Sequence, residues 1–465
     1  MKLKINKQTN SVSKNIIVTL FCFVILKGLT IILSPILTRY LDPSEYSLVS
    51  NYNVWFSIAG SFIGLEVQGS ISNALLDYKE KKYKYASNCI SIGLVTSVIF
   101  AIPMIIFKEK ISALLDINEM LVCLMIPHGF FMFCITFLTN FFSADRKPIL
   151  NFLLSFTVSV VGSAISFILL IGFGKGYFGY ILGSVIANIV FGLIIVVYVS
   201  ARGRSFFDWK IWKYALIIGV PLVFHRLVSE VLYSSDKIMI KNMLGDYEMG
   251  VYSFTRMLSN VLTIIWSAVN SGVVPFYFLN YEKKDDKEVQ RITNSTNIFF
   301  TIMCVGFMMV FPEIYKLIYP SSYSESINIM GIMVLSVFFT SIYSYAANYE
   351  FYHKKTIWLA TGTVITGVVN ILLNIFFIKE FGMSGAIIAT CVSYFLLFIV
   401  HEIIARFIIK EFPIKWHTYI YSIIVMLASV LVYYSFLNVW IIRWIIAVIA
   451  GTILIYRTVK NKRLF

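Results

Sequence analysis

The sequence predicts an all-α integral membrane protein with about fourteen transmembrane helices, arranged as two pseudo-symmetric six-helix lobes followed by a C-terminal helix pair. Hydrophobic residues make up 58% of the 465 residues and charged residues only 14%, whereas a soluble domain carries roughly 25% charged residues. No single water-soluble core would hide that much apolar surface, but a bilayer does. The other two observations are the series of long apolar runs and an internal repeat.

A helix needs roughly 20 mostly apolar residues to cross the hydrocarbon core, and the sequence contains fourteen apolar runs of about this length. The second and eighth runs carry many polar residues, yet both are long enough to span a bilayer. No connecting loop is long enough to form a separate soluble domain. In chain order, the predicted transmembrane helices cover residues 15–37, 46–69, 87–107, 118–141, 149–173, 178–200, 212–235, 249–277, 292–312, 326–349, 357–378, 383–405, 417–436 and 439–456.

The 39 lysine and arginine residues orient these helices. With the N terminus in the cytoplasm, and with Lys213 and Arg443 near their helix ends counted with the adjoining loops, 27 of them fall in cytoplasmic segments, 9 on the opposite face and 3 within spans. Because basic residues are retained on the cytoplasmic side of a membrane, both termini are predicted to be cytoplasmic. The net charge of +15 then suits an anionic lipid leaflet, and no nucleic-acid partner is expected.

Two pairs of similar segments indicate an internal repeat. The segment 39–49 after the first predicted helix aligns with 242–252 after the seventh, so that Glu45 meets Glu248. The segment 176–179 likewise aligns with 382–385 at nearly the same offset. Six helices per copy make this a parallel repeat. The predicted divisions are an N-terminal lobe (1–205), a C-terminal lobe (206–410) and an extra helix pair with the cytoplasmic tail (411–465).

Helices 2 and 8 of this prediction carry matching polar stripes at spacings of three and four residues. Lipid cannot satisfy such groups, so the stripes are expected to line a polar cavity. Asn53 and Asn260 are therefore candidate binding residues. The stripes consist of Asn53, Ser57, Gly60, Gly64 and Gln68 in helix 2, and of Arg256, Asn260, Thr263, Ser267 and Ser271 in helix 8.

Charged residues inside the predicted spans point to an anionic ligand. Lys27, Arg226 and Arg256 are cations at membrane depth, where a charge is costly unless it is paired or hydrated. Arginine suits phosphate because its planar fork donates two parallel hydrogen bonds. Simpler roles remain open: Arg226 and Glu230 can neutralise one another at i,i+4, Lys27 can bridge to Glu230, and Arg256 can extend to the membrane interface.

No catalytic or metal-binding motif emerges from the sequence, so neither an enzyme activity nor a cofactor is expected. Glu66, His401 and Glu402 lie off the stripes or near the predicted cytoplasmic ends, and no role is assigned to them. His128 is expected to be a packed or interfacial histidine rather than a proton carrier.

Short motifs spread over nearly the whole chain resemble the O-antigen and capsule repeat-unit flippases of the Wzx type. One departure from the family pattern is Ser47, where glycine is usual. The motifs are Pro35-Ile-Leu-Thr-Arg39-Tyr-Leu41, Glu45-Tyr46, Gly219-Val-Pro221, Ser235-Asp236-Lys237, Leu244-Gly245, Gly250-Val-Tyr252, Asn370-Ile-Leu-Leu-Asn374 and Phe381-Gly382-Met-Ser-Gly385-Ala386. The wider superfamily of multidrug, oligosaccharidyl-lipid and polysaccharide exporters includes the lipid II flippases and the multidrug and toxin extrusion (MATE) antiporters.

The resemblance implies two lobes that rock about a central cavity in the bacterial cytoplasmic (inner) membrane. The implied cargo is an undecaprenyl-diphosphate-linked oligosaccharide, moved from the cytoplasmic to the outer leaflet by alternating access. Family flippases are similar in carrying basic residues inside the cavity, which Lys27, Arg226 and Arg256 match, with Glu230 beside them. Membrane lipids and polysaccharide polymerase or export proteins are the other expected partners.

The sequence also bears on three other functions. A cation-coupled multidrug exporter of the same fold favours carboxylates in its cavity, whereas the first predicted helix has Lys27 as its most central charge and no acidic residue. A membrane polysaccharide polymerase or ligase generally presents a sizeable outer loop, and every outer loop predicted here is short. A purely structural membrane protein does not account for the continuous polar stripes.

Overall fold

The computed structural model describes residues 25–26 and 28–461. In that part of the chain the regular structure is helical, without a strand. Short 3-10 or π segments follow α2, α3, α7, α11 and α13. The helices are α1 (28–40), α2 (Pro43–Gly60), α3 (Ile71–Asp77), α4 (Lys82–Ile106), α5 (Lys108–Leu115), α6 (Glu119–Ala144), α7 (Pro148–Phe167), α8 (Gly176–Gly203), α9 (Trp209–Met243), α10 (Asp246–Glu282), α11 (Asp286–Ile318), α12 (Glu325–Tyr352), α13 (Thr356–Ile403), α14 (Trp416–Ser435) and α15 (Trp440–Asn461).

Side chains at the loops define where several helices begin. The carboxylate of Asp42 accepts a hydrogen bond from the backbone N–H of Glu45 at 2.9 Å, with Pro43 in the first turn of α2. Asn118 caps α6 and Asp285 caps α11 in the same way. Such caps satisfy N–H groups that have no partner within the helix. The polar residues between apolar runs therefore act as helix boundaries.

Ten helices in the described residues are long and apolar enough to cross a membrane, or eleven if the bent pair around α2 and α3 counts as one span. The predicted all-α membrane class is confirmed, but the count of fourteen is not. The candidate Ile357–Ile409 has 53 residues, which would measure about 80 Å as one straight helix. Gly382 (φ 59°, ψ −140°) breaks it at the predicted junction of helices 11 and 12.

The first and last predicted transmembrane helices correspond less fully to helices of the structure. The first predicted helix, 15–37, lies mostly outside the described residues. The last, predicted over 439–456, corresponds to α15, whose apolar part Trp440–Leu454 is shorter than the other spans. The protein is thus a multi-pass membrane protein.

The chain forms two compact units, one ending at Ser234 and the other beginning at Ser235. The division falls inside α9, whereas the predicted lobe boundary lies between residues 205 and 206. The three predicted divisions of the chain, at 1–205, 206–410 and 411–465, stay a prediction.

In the second unit, α14 and α15 are joined to α11 by polar contacts. The amide of Asn297 donates to the carbonyl oxygen of Thr418 at 2.9 Å and to the hydroxyl of Ser422 at 2.8 Å. Arg443, which is almost completely buried, forms an ion pair with Glu313. The helix pair beyond the repeat therefore belongs to the packed body of its unit.

In the first unit, Asp145 follows the end of α6 and holds two lysines. Its carboxylate lies 2.9 Å from Lys82 Nζ and 2.8 Å from Lys147 Nζ. Burial raises the pKa of Asp145, but the hydrogen bonds from Lys147 and Lys82 outweigh burial and hold the pKa below its usual value. Because the folded-state pKa of Asp145 is lowered, its contacts with the two lysines stabilise the fold at neutral pH. This contribution is lost as the pH falls through that pKa.

Candidate functional site

The second predicted helix is broken in the middle. After α2 ends at Gly60, Gly64, Leu65 and Glu66 adopt left-handed backbone conformations with φ of 73°, 47° and 51°. Residues other than glycine rarely adopt this backbone conformation, which costs of order 1–3 kcal/mol per residue. Such backbone strain clusters at functional sites. The hydroxyl of Thr96 accepts a hydrogen bond from the N–H of Gly64 at 3.0 Å. Helix α4 therefore contacts the break directly.

Helix α9 packs directly against this break. A Cβ atom added to Gly219 would lie 2.3 Å from the carbonyl oxygen of Leu65, so only glycine allows this approach. Arg226 follows seven residues later, about two helical turns along the same face. Its Nη1 lies 3.2 Å from Oε1 of Glu66. The close approach at Gly219 thus positions Arg226 beside the carboxylate of Glu66, whose backbone is strained.

Arg226 also faces Glu230, as the spacing predicted. The Nη2 to Oε1 distance is 3.7 Å, which is an ion-pair contact but beyond hydrogen-bonding distance. Gln68 donates to Oε2 of Glu66 at 2.9 Å. Two atoms of the group, Nε of Arg226 and Oε1 of Gln68, are buried and find no hydrogen-bond partner among the described residues. We call Glu66, Gln68, Arg226 and Glu230 the helix-break cluster.

The helix-break cluster contains more negative than positive charge. Glu66 and Glu230 are two carboxylates around the single guanidinium of Arg226, and the three side chains are 12%, 24% and 40% exposed. The pairing of Arg226 with Glu230, left open above, is therefore present. Arg226 is a partly accessible cation that already has two carboxylates beside it.

A second charged cluster lies in the other unit. Oδ2 of Asp236 accepts hydrogen bonds from the hydroxyl of Tyr252 at 2.7 Å, from that of Thr390 at 2.9 Å and from Nη1 of Arg256 at 3.1 Å. Oδ1 accepts from the amide of Asn374 at 2.6 Å. The five side chains come from α9, α10 and both halves of α13. We call them the Asp236 cluster.

The Asp236 cluster includes Arg256, one of the predicted binding residues. The side chains of Arg256 and Asp236 are only 11% and 4% exposed, and the guanidinium also donates to Tyr252 at 3.1 Å. Arg256 is therefore a paired cation within its unit. Its guanidinium neutralises the buried carboxylate of Asp236.

The remaining predicted site residues are placed as follows. Lys27 lies outside the described residues. Asn53 is exposed on α2 and Asn260 is half-buried on α10. On the α10 stripe, Thr263 is half-buried, and Ser267 and Ser271 are exposed. Within residues 25–26 and 28–461, no group of three or more His, Cys, Asp or Glu side chains is arranged to hold a metal ion.

Sequence reasoning missed Glu66 and Asp236. Glu66 lies off the polar stripe if helix 2 is drawn straight, and only the break brings it to Arg226. A signal was available, because Glu66 is the single acidic residue of the predicted span 46–69 and a lone carboxylate at membrane depth usually has a function. Asp236 lies one residue beyond the predicted helix 7, outside the depth at which a charge is costly.

A family model for polysaccharide biosynthesis protein matches residues 12–280, which is more than half of the chain. The chain belongs to the polysaccharide biosynthesis protein family. The resemblance to the Wzx-type flippases that the motifs predicted is thereby confirmed at the level of the family.

Named relatives of this polysaccharide biosynthesis protein are distant. An uncharacterized membrane protein of Methanocaldococcus jannaschii is 24% identical over 276 residues, which cover 55% of this chain and 60% of the relative. The alignment thus spans less than two thirds of that relative's length. A Shigella flexneri protein that bears the name of a candidate O-antigen transporter is 21% identical over 179 residues, covering 36% of this chain and 42% of the relative.

Solved structures share the fold of this polysaccharide biosynthesis protein. The lipid II flippase MurJ in an inward closed conformation has a TM-score of 0.68 at 17% identity, covering 98% of each chain. A MATE transporter of Vibrio cholerae has a TM-score of 0.60 at 14% identity, covering 86% of this chain and 97% of that one. These likenesses show that the chain has the fold of those two transporters.

Proposed function

We propose that this protein translocates a prenyl-diphosphate-linked oligosaccharide, an O-antigen or capsule repeat unit, from the cytoplasmic to the outer leaflet by alternating access. It would act in the bacterial cytoplasmic membrane with both termini in the cytoplasm. Polysaccharide polymerase or export proteins would be its downstream partners. Membership of the polysaccharide biosynthesis family supports this substrate class.

The observation that carries the proposal is the accessible polar stripe on α10. Asn260 and Thr263 are half-buried and Ser267 and Ser271 are exposed, in a helix whose length and hydropathy suit a membrane span. Lipid offers no hydrogen bonds to these groups, whereas a sugar offers many. Beyond Arg256, the stripe carries one amide and three hydroxyls and no carboxylate, which suits a polyhydroxylated head group better than a cationic drug.

The diphosphate would be held by cations of the first unit. Nη2 of Arg226 makes no hydrogen bond to Glu230 at 3.7 Å, so it can turn to a phosphate oxygen, and Lys27 is proposed to add a second positive charge. Asn53 and Asn260 would bind the sugars. Glu230 would limit the affinity for the diphosphate, because a phosphate held too tightly would not be released.

A second candidate function is a cation-coupled multidrug exporter. One observation favours it: the helix-break cluster has two carboxylates for one guanidinium, and excess negative charge at membrane depth suits a cationic substrate or coupling ion. The fold shared with MATE transporters is compatible with this function as well.

The test is deletion of the gene, followed by complementation with variants. We expect deletion to abolish surface polysaccharide and to trap lipid-linked repeat units in the cell. Asn260→Leu should lower surface polysaccharide at least about tenfold, which corresponds to about 1.4 kcal/mol of lost cargo stabilisation. The matched control is Asn280→Leu on the same helix, because the described contact of that amide is to the carbonyl oxygen of Phe276 in its own helix.

The result is read at equal protein levels in the membrane. Normal surface polysaccharide in the deletion strain, together with increased sensitivity to cationic drugs, would refute the flippase and favour the drug exporter. Equal loss with Asn260→Leu and Asn280→Leu would remove the stripe from the substrate-binding surface.

A further inference from the structure

The second unit contains a buried acid–histidine pair that the proposed transport path does not use. Nδ1 of His401, near the end of α13, lies 2.6 Å from Oε1 of Glu350, near the end of α12. Both side chains are completely buried. A carboxylate and an imidazole nitrogen at this distance share a proton. We call Glu350 and His401 the acid–histidine pair.

The hydrogen bonding of the pair is incomplete on both sides. Oε2 of Glu350 and Nε2 of His401 are buried and find no partner among the described residues. A Cβ added to Gly362 would lie 2.7 Å from Nε2, so this nitrogen faces the bare backbone of α13. The surroundings therefore do not fix one protonation state through a donor or acceptor at Nε2.

Two protonation states differ in buried charge. With a neutral imidazole donating from Nδ1, the pair carries the negative charge of the Glu350 carboxylate, sealed away from water. Addition of one proton at Nε2 makes His401 an imidazolium, and the pair becomes neutral overall. Burial of an uncompensated charge is far more costly than burial of a neutral pair. One additional proton therefore removes the net charge of the sealed pair.

The neighbouring charged residues Glu402 and Arg406 are engaged with one another. Glu402 pairs with Arg406 at 2.8 Å, and Arg406 also donates to the carbonyl oxygen of Ile414. Tyr343 of α12 places its ring centroid 5.0 Å from that of His401. Arg406 is therefore occupied by Glu402 and does not compensate Glu350.

Tyrosines from two further helices complete the surroundings of Glu402. Tyr281 of α10 and Tyr419 of α14 both interact electrostatically with its carboxylate. Tyr349 of α12 turns away, because its hydroxyl donates to the carbonyl oxygen of Lys410 at 2.8 Å. These phenols supply no positive charge to the acid–histidine pair.

A histidine of the first unit shows the contrasting arrangement. His128 is buried, and its two ring nitrogens contact the hydroxyl of Tyr52 at 2.9 Å and the amide of Asn188 at 2.8 Å. Both partners are neutral, and together they satisfy a neutral imidazole completely. His128 is thus the packed histidine that the sequence predicted, and it serves as a matched control for His401.

We propose that the acid–histidine pair binds a proton that is carried through the transport cycle. This inference rests on the proposed function, since it names the ion that drives transport. Glu350 lies two residues before the end of α12, and Lys354 and Lys355 follow, which is the side that the lysine and arginine distribution assigns to the cytoplasm. The proton would leave Nε2 for cytoplasmic water when this end opens, and neutral His401 would remain bonded to Glu350.

Direct proton binding is tested with full-length protein in nanodiscs, with 15N-labelled histidine, over about pH 5 to about pH 9. We expect one of the titrating signals from the five histidines to be absent in His401→Gln and to change its midpoint in Glu350→Gln. His128→Gln should leave that signal unchanged. A His401 signal that never titrates, or that ignores Glu350→Gln, would overturn the proposal; monodispersity of each variant establishes that it is folded.

Coupling to transport is tested in the complemented deletion strain. We expect His401→Gln to reduce surface polysaccharide at least about tenfold and to flatten its dependence on external pH, whereas His128→Gln, if stably produced, retains both. An unchanged pH dependence in His401→Gln would refute the coupling even if the proton binds. If deletion of the gene leaves the polysaccharide normal, the proposed function fails, and the NMR titration still decides whether the pair binds a proton.

Discussion

Replacement of Asp236 by asparagine is expected to lower the free energy of unfolding by about 3–5 kcal/mol, the usual cost of removing one partner of a buried ion pair. The substitution keeps the size of the side chain but leaves Arg256, 11% exposed, without its counter-charge. Tyr252 and Thr390 also lose a charged acceptor. Chemical unfolding of the purified protein in detergent micelles measures the loss.

The double variant Asp236→Asn/Arg256→Gln separates charge from packing. Because it removes both charges, we expect it to be more stable than Asp236→Asn alone, with a coupling between the two sites. The control is Arg291→Gln, whose guanidinium pairs with Glu288 but is 48% exposed, and which should change stability by less than about 1 kcal/mol. Simple addition of the two single effects would show that the ion pair contributes little.

Replacement of Gly219 by alanine is expected to destabilise the protein by about 1–3 kcal/mol and to lower transport at least about tenfold. The new Cβ would lie 2.3 Å from the carbonyl oxygen of Leu65, which is backbone and cannot rotate away. Helix α9 must then withdraw from the break, and Arg226 moves with it, away from Glu66. Unfolding in micelles and surface polysaccharide in the complemented strain measure the two effects.

Gly306→Ala on α11 is the matched control, because no atom lies within 4 Å of its added Cβ. It should be neutral or stabilising by up to about 1 kcal/mol, through the better helix propensity of alanine. If Gly219→Ala behaves like Gly306→Ala in both measurements, the close approach of α9 to the helix break does not position Arg226.

The pairing of Arg226 with Glu230 could be predicted because helical spacing alone brings residues four apart to one face. The partner Glu66 could not, since it comes from a helix that does not continue straight through residues 64–66. Arg256 lies inside a predicted span, but its partner Asp236 is twenty residues away on another helix. Local periodicity carries no information on such contacts.

The amino-acid sequence by itself determined the membrane class, the predicted orientation and the polar stripes, because hydropathy, charge bias and helical period are properties of short segments. Only the tertiary structure decided which charges are paired and which histidine is satisfied by neutral neighbours. His128 and His401 look alike along the chain, yet one contacts a phenol and an amide and the other a carboxylate. The reason is physical: the charge state of a buried group depends on atoms that packing brings within about 3 Å, whatever their separation in sequence.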